Sequence, residues 1–413
     1  MPPSITRAPR IDPRVRWQIW TLFGTVLLVM IGFGIVLPIL PFLARRFGAS
    51  SVEMGLLITG WALAQFLASP AWGVLADRIG RKPVLMVGLA GYGVMFVAMA
   101  LAPSYGVLLV ARVLGGLLSS SVLPSAQAIA ADLTKPEDRG GVMGILGAAF
   151  GVGFMVGPAL GGTLATLGPQ VPFYFAAVAA ALSLPVVLRW VREPPADGRR
   201  LRTARPGIGN VSRALASSER PLYLMAFAAT FGGSSLFSML GYYAMDRAGA
   251  SPSQVGAMFT AFGLGSVVTQ AGLVGPISRR WGEARGIMLG FGFGALGFLS
   301  VSAAGSVPTM TLAVGLTSVA MALIRPSLAA LNSRLTTTGF GTSLGLQSAF
   351  DSLGRSLGPL WAGGIYELAP LAPFAAAAGV YAIAAAAAPG LPRPAEVPSL
   401  PPPVIEPADP PAV

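Results

Sequence analysis

The chain of 413 residues contains no His and no Cys, which excludes a histidine proton relay, a thiolate nucleophile, a disulfide framework and a zinc-type cluster. Proton chemistry must therefore use carboxylates. Inside the apolar stretches, four ionisable side chains stand away from segment ends: Arg112, Arg325, Asp351 and Arg355. By insertion scales each costs about 3 kcal/mol at the centre of a bilayer unless it faces a cavity or a partner. Asp351 is the one central carboxylate, and Arg355 follows it at i+4, one helical turn on. Two roles are open to it: a permanent ion pair with Arg355, or a carboxylate that exchanges an arginine partner for a proton. Gln65, Gln127, Asn332 and Gln347 are neutral polar groups expected to line a cavity with them. Three central arginines against one central acid predict a substrate with negative charge or a strong acceptor group; backbone carbonyls around Arg112 would cut the excess to one. No nucleophile, base and stabiliser set, metal cluster or phosphate loop is visible, so catalysis is not expected.

The elements that hold these residues follow from composition. The chain is 54% hydrophobic and 11% charged, whereas a soluble surface needs about 25% charged residues. Its solvent is lipid. Crossing roughly 30 Å of hydrocarbon takes about 20 residues. Twelve runs qualify, near 17–44, 52–76, 83–103, 105–132, 139–166, 171–189, 221–247, 253–279, 284–303, 307–333, 340–367 and 371–390. The first is too long for a signal peptide and is expected to be retained. The expected organisation is an arm at 1–16, a six-helix bundle at 17–190, a polar linker at 191–220, a second bundle at 221–390 and a Pro-rich, unfolded tail at 391–413.

The net charge of +12 is a topology signal rather than a nucleic-acid footprint. With the N terminus inside, 22 of the 28 basic residues fall on the cytoplasmic side, and outside stand only Arg45, Arg46 and Arg247. The bias places both termini in the cytoplasm. Trp17 and Trp20, and also Tyr242 and Tyr243, read as members of the interfacial aromatic belt.

The chain repeats itself at an offset of 201 to 202 residues. RFGAS at 46–50 matches RAGAS at 247–251, and Gly55 matches Gly256. Gly73, Arg78 and Gly80 match Gly275, Arg280 and Gly282; Pro124 and Ser125 match Pro326 and Ser327; Gly153, Gly157 and Pro158 match Gly354, Gly358 and Pro359. Six spans per copy is an even number, so the copies share one orientation and are related by an axis along the membrane normal.

GVLADRIGRK, from Gly73 to Lys82, resembles the signature loop between helices 2 and 3 of major facilitator transporters. In that resemblance Gly73, Asp77, Arg78, Gly80, Arg81 and Lys82, with Asp132 and Arg139 nearby, form a conformational latch: Gly73 admits a neighbouring helix, and Asp77 accepts from a helix N-terminus or an arginine across the seam between the halves. The second copy has Arg279 in place of Asp77, so only the first latch is complete. GFMVGPALGG resembles the antiporter motif of the fifth helix, with Gly153, Gly157, Pro158, Gly161 and Gly162 forming a flat packing face. RVLGG at 112–116 resembles the buried-arginine motif of the fourth helix. The texture is nearest to tetracycline-type drug and proton antiporters, with two departures: no acid stands in the first helix, and Ser266 replaces a histidine in the eighth.

The resemblance implies an all-α major facilitator fold of twelve transmembrane helices in two parallel repeats. It implies a monomeric secondary transporter of the inner (plasma) membrane, without a cofactor, that exports drugs or other small amphipathic molecules in exchange for protons. Its expected partners are a small-molecule substrate, protons and the lipid bilayer, not nucleic acid. The competing readings are a uniporter or importer of a small, anionic metabolite and a non-transporting receptor.

Overall fold

Backbone N–H and C=O groups find no water in hydrocarbon, so long apolar runs must satisfy them internally as helices. The computed structural model describes residues 13–135, 138–193, 219–335 and 340–391. Most of the expected linker, and nearly all of the arm and tail, lie outside the described residues. The first half comprises α1 (Pro13–Arg46), α2 (Ser51–Ile79), α3 (Arg81–Ala100), α4 (Tyr105–Ser119), α5 (Val122–Asp132), α6 (Arg139–Leu164) and α7 (Val171–Trp190). The second comprises α8 (Arg220–Ala248), α9 (Pro252–Thr269), α10 (Gly275–Trp281), α11 (Glu283–Ala303), α12 (Val307–Leu335), α13 (Phe340–Tyr366) and α14 (Ala372–Ala387).

Among the described residues, eleven helical segments are long and apolar enough to cross a membrane. The expected fourth span is the pair α4 and α5, interrupted at Ser120 and Ser121. The expected eighth is α9 and α10 joined by a π-helical turn at Gln270–Val274. Its repeat equivalent, α2, carries Pro70 at that level, so the two copies disturb the same point by different means. The helix α13 has 27 residues, long enough to span, but Ser343, Gln347, Ser348, Asp351, Ser352, Arg355 and Ser356 make it more polar than the others.

The repeat also fixes the turns. Gly48 and Gly249 adopt φ of 74° and 58°, and Gly80 and Gly282 adopt 110° and 77°. A side chain at any of these four would be strained, which accounts for glycine recurring there. Ser50 and Ser251 then cap α2 and α9, in capping boxes closed by Glu53 and Gln254.

Packing follows the duplication. In the first half α1 lies along α6, and in the second α8 lies along α13; across the seam α2 packs on α13, and α9 on α6. Gly157 allows the first contact, since a Cβ there would stand 2.6 Å from the Ile31 carbonyl oxygen. Gly358 does the same against the Phe231 carbonyl oxygen, also at 2.6 Å.

Candidate functional site

The two ends of the bundle differ. At the far end, where the 47–50 turn lies, the halves are joined. A Cβ on Gly55 would lie 2.5 Å from the Pro359 carbonyl oxygen, and one on the equivalent Gly256 would lie 2.6 Å from that of Pro158. Gly162 abuts Pro252 and Ser253, as Gly363 abuts Ser51 and Val52. The seam thus has two-fold symmetry at the level of single residues. Arg45 pairs with Asp246, its own repeat equivalent, at 2.7 Å. Tyr366 donates to the same carboxylate at 2.6 Å. The Arg45 guanidinium lies 4.3 Å from the centre of the Tyr242 ring, and the Tyr242 hydroxyl donates to the Ala49 carbonyl oxygen at 2.9 Å. Ser51 donates to the Gly363 carbonyl oxygen at 2.9 Å, and deeper in the seam Thr59 donates to that of Ser356 at 2.8 Å.

These contacts correct the expected aromatic belt: Tyr242 and Tyr243 are buried, one in the seam and the other donating to the Ser302 carbonyl oxygen at 2.8 Å. Trp17 and Trp20 are exposed, as an interfacial position requires.

At the near end, where the 80–82 turn lies, the helices that form the seam stand clear of one another. Among the described residues, no atom of another segment lies within 4 Å of where a Cβ would stand on Gly73, Gly144, Gly147, Gly151, Gly272 or Gly345. The signature loop is held within its own half. Arg81 bonds Asp132 and donates to the Ala128 carbonyl oxygen at 2.7 Å. Glu193 accepts from the backbone N–H groups of Arg81 and Lys82 at 2.8 and 2.7 Å, capping α3, and the Lys82 ammonium donates to the Leu188 carbonyl oxygen at 2.8 Å. Arg78 is exposed. Asp77 makes no hydrogen bond or ion pair with a described residue, so the cross-seam contact expected of it is not formed in this conformation. Arg139 donates to the carbonyl oxygens of Ala131 and Thr134, at 3.0 and 3.4 Å, rather than to Asp132.

The second half carries a counterpart of the Arg81–Asp132 pair. Residues 202 positions on, Glu283 and Arg334, form an ion pair at 3.0 Å, with the signs exchanged. An identity search cannot see it, because each half keeps the pair and neither keeps the residues.

Of the expected antiporter face, Gly153, Gly157 and Gly161 meet α1 at Leu27–Ile31, at Ile31 and Gly34, and at Ile35, whereas Gly162 turns to α9. Pro158 touches both: a Cβ on Gly34 would lie 2.8 Å from its ring, and its carbonyl oxygen faces Gly256. This helix therefore packs at once on α1 of its own half and on α9 of the other.

The central charges separate into two groups. Arg112 is buried in the first half, donates to the Leu57 carbonyl oxygen at 3.2 Å and lies 4.6 Å from the centre of the Trp61 ring. Such stacking is worth about 0.5–2 kcal/mol. Asp351 pairs with Arg325 at 3.5 Å, rather than with Arg355 on its own helix. Arg355 is exposed and reaches only the Ser352 hydroxyl, at 3.4 Å. Among the described residues Arg325, Asp351 and Arg355 form a charged cluster within the spans' central region, with both arginines exposed and Asp351 buried. Of the neutral polar residues, Gln65 and Gln127 are exposed. Asn332 and Gln347 instead are buried and bonded to each other at 3.0 Å, with Ser343 donating to Asn332 at 2.5 Å. Tyr223 and Glu219 continue that network, the tyrosine hydroxyl donating to the carboxylate at 2.5 Å.

The comparisons agree with this architecture. The family model for the Major Facilitator Superfamily matches residues 22–221 and 222–412. Multidrug resistance protein 2 of Bacillus subtilis is 28% identical over 353 residues, 84% of this chain and 88% of that protein. Quinolone resistance protein NorA of Staphylococcus aureus is 25% identical over 369 residues, 88% of this chain and 93% of that one. Among solved structures, the human organic anion transporter MFSD10 superposes with a TM-score of 0.67 at 26% identity, covering 91% of this chain and 100% of that one. The nucleoside transporter NupG superposes at 0.77 and 12% identity, over 91% and 99%, a likeness of fold alone. Two repeats, a two-fold seam and a family match along nearly the whole chain lead to one conclusion: the chain belongs to the Major Facilitator Superfamily of transporters.

Proposed function

We propose that this protein is a proton-coupled exporter of drugs or other small amphipathic molecules, acting as a monomer in the inner membrane. The Lys and Arg bias sets the near end, with Arg78, Arg81, Lys82, Lys135, Arg189, Arg279, Arg280 and Arg285, in the cytoplasm; Arg45, Arg46 and Arg247 stand at the far end. The conformation is then sealed outside and open inside, ready to load from the cytoplasm. Both termini are cytoplasmic on the same ground.

The observation that carries the reading is the Arg325–Asp351 pair, placed on two helices at mid-span and reachable by solvent, with side-chain exposures of 47% and 12%. A carboxylate that can trade an arginine for a proton supplies coupling without a cofactor. Protonation weakens the pair, and a cationic group of a substrate competes with the proton for the same oxygens, which makes the two loads mutually exclusive. That exclusion is the condition for exchange transport. Resistance functions in the names of the two bacterial relatives support a drug as cargo. Counterflow in proteoliposomes, with and without an imposed pH gradient, tests the reading: acceleration by the gradient is expected, and uptake indifferent to it points to a uniporter.

In this reading the 73–82 loop, with Asp132 and Arg139, is the latch of the opposite, inward-closed state. Among the described residues Gly73 has no atom within 4 Å of where a Cβ would stand, and Asp77 has no hydrogen-bond or ion-pair partner, in keeping with an open seam at that end.

A further inference from the structure

Resting on the export reading, we propose that the cavity is built for a zwitterion, with Arg355 holding the anionic group of the substrate and Asp351 its ammonium. The starting point is the unequal state of the three central arginines. Arg112 is buried and satisfied by a carbonyl and an indole face, so it takes no part in binding. Arg325 already has a carboxylate. Arg355 has none within ion-pair distance among the described residues and hydrogen-bonds only the Ser352 hydroxyl among them.

The position of Arg355 shows what it faces. It precedes Pro359 and Gly363 by one and two turns on α13, the stripe that meets α2 of the other half at Gly55 and Ser51. It stands just below the Thr59–Ser356 bond, where the halves part. An exposed guanidinium there opens into the gap between the halves, which is the water-filled route, and not onto lipid, where an arginine at mid-span is expensive. Asp351 and Arg355, at i and i+4, lie about 5–6 Å apart at Cβ and set opposite charges side by side, the guanidinium exposed and the carboxylate 12% exposed. A ligand with one charge answers half of this pattern; a ligand with both answers all of it. The ammonium displaces Arg325 from Asp351 and remains in competition with the proton, so the exchange logic of the proposed function is kept.

The adjoining wall supplies the apolar requirement. Phe231 is partly exposed, stacks on Phe227 at 5.2 Å between ring centres and meets Trp361 at 4.6 Å. The Phe231 backbone N–H lies 2.8 Å from where a Cβ of Gly354, the neighbour of Arg355, would stand. The substrate class is therefore an aromatic amphiphile whose amine and acid are a few bonds apart.

The test uses one scaffold in three charge states: 4-dimethylamino-3-(2-naphthyl)butanoate, its methyl ester, and 3-(2-naphthyl)butanoate, titrated calorimetrically against the purified full-length protein at neutral pH. The zwitterion is expected to bind at least tenfold tighter than the cationic ester or the anion. Arg355→Gln should abolish its advantage over the ester while leaving ester affinity within twofold, and Arg355→Lys should restore part of it. Asp351→Asn should weaken the zwitterion and the ester together and leave the anion unchanged. An ester that binds wild-type protein as tightly as the zwitterion overturns the proposal without any variant, as does an Arg355→Gln protein, intact by thermal melting, that still prefers the zwitterion. Binding needs no gradient, so these outcomes are independent of counterflow, whose failure would instead remove proton coupling.

Discussion

The far and near ends of the molecule, outer and inner in the proposed orientation, are built from the same repeat and do opposite things with it. At the outer end each half reaches into the other: Gly55 onto Pro359, Gly256 onto Pro158, Arg45 onto Asp246. At the inner end each half closes on itself, through Arg81–Asp132 in one copy and Glu283–Arg334 in the other. Contacts between halves must be made and broken in every transport cycle, whereas contacts within a half can persist. The far-end seal accordingly uses close backbone approach and one partly exposed ion pair, and the near-end ion pairs stay within each half.

The largest effect is expected from filling the outer seam. Gly55→Val together with Gly256→Val places side chains where an added Cβ would stand only 2.5 and 2.6 Å from carbonyl oxygens. Overpacking of this kind costs about 1–3 kcal/mol per site, enough to hold the outer end open and reduce transport to below about a tenth. Because the chain has no Cys, a thiol introduced at Ser253 is the only one present. Its labelling by an impermeant maleimide from outside should rise severalfold in the double variant; unchanged labelling would show that the seam is not the outer gate.

Asp77→Asn should come next. It leaves the outer seal and both inner ion pairs untouched, yet removes the acid expected to engage the opposite half when the inner end closes. Transport should fall severalfold with normal insertion and melting temperature. Wild-type turnover in a well-inserted variant reduces the loop to a topological signal.

Breaking the Arg45–Asp246 pair should have a smaller effect, because exposed pairs contribute about 0–1 kcal/mol. Asp246→Asn should raise outside labelling at Ser253 by up to about fivefold. The exchanged variant, Arg45→Asp with Asp246→Arg, should lower it again part of the way, since the ion-pair partners are symmetry equivalents while Tyr242 and Tyr366 are not duplicated. If the exchange fails to lower it, the pair is not the relevant contact.

The smallest effect concerns the inner pair. Asp132→Asn should lower stability by less than about 1 kcal/mol, and Arg81→Glu with Asp132→Arg, which copies the polarity of the second half, should recover it in a thermal melt. Loss of transport in a variant so recovered would mean that the sign of the pair matters to the cycle.

The spans, the repeat and the packing face around Pro158 were legible because each rests on spacing: 20 apolar residues, an offset of about 201, glycines one turn apart. The same spacing explains Gly48 and Gly249, where the turn demands positive φ. Polar residues inside spans were read less well. Asn332 and Gln347 were expected to line the cavity, yet they bond each other, since a polar side chain in a span satisfies itself equally well in a buried network. Asp351 invited pairing with Arg355 by sequence distance, but the chain brings Arg325 from α12 instead. Tyr242 looks like a belt tyrosine because it stands near a helix end, and only the crossing of α1 shows that this end is inside the protein. The Arg45–Asp246 pair was hidden for a simpler reason: a contact between a residue and its own repeat equivalent lies on the two-fold axis, which the sequence implies but does not position.

The central claim is that Asp351 carries the coupling proton between an outer seal and an inner opening. It is tested most directly by substrate counterflow in proteoliposomes containing wild-type or Asp351→Asn protein, each with and without an inward-directed proton gradient. The account predicts that the gradient accelerates wild-type transport at least several-fold and leaves the variant at its gradient-free rate, with exchange at equilibrium preserved. A variant accelerated by the gradient as strongly as wild type would contradict it and move the proton to another group.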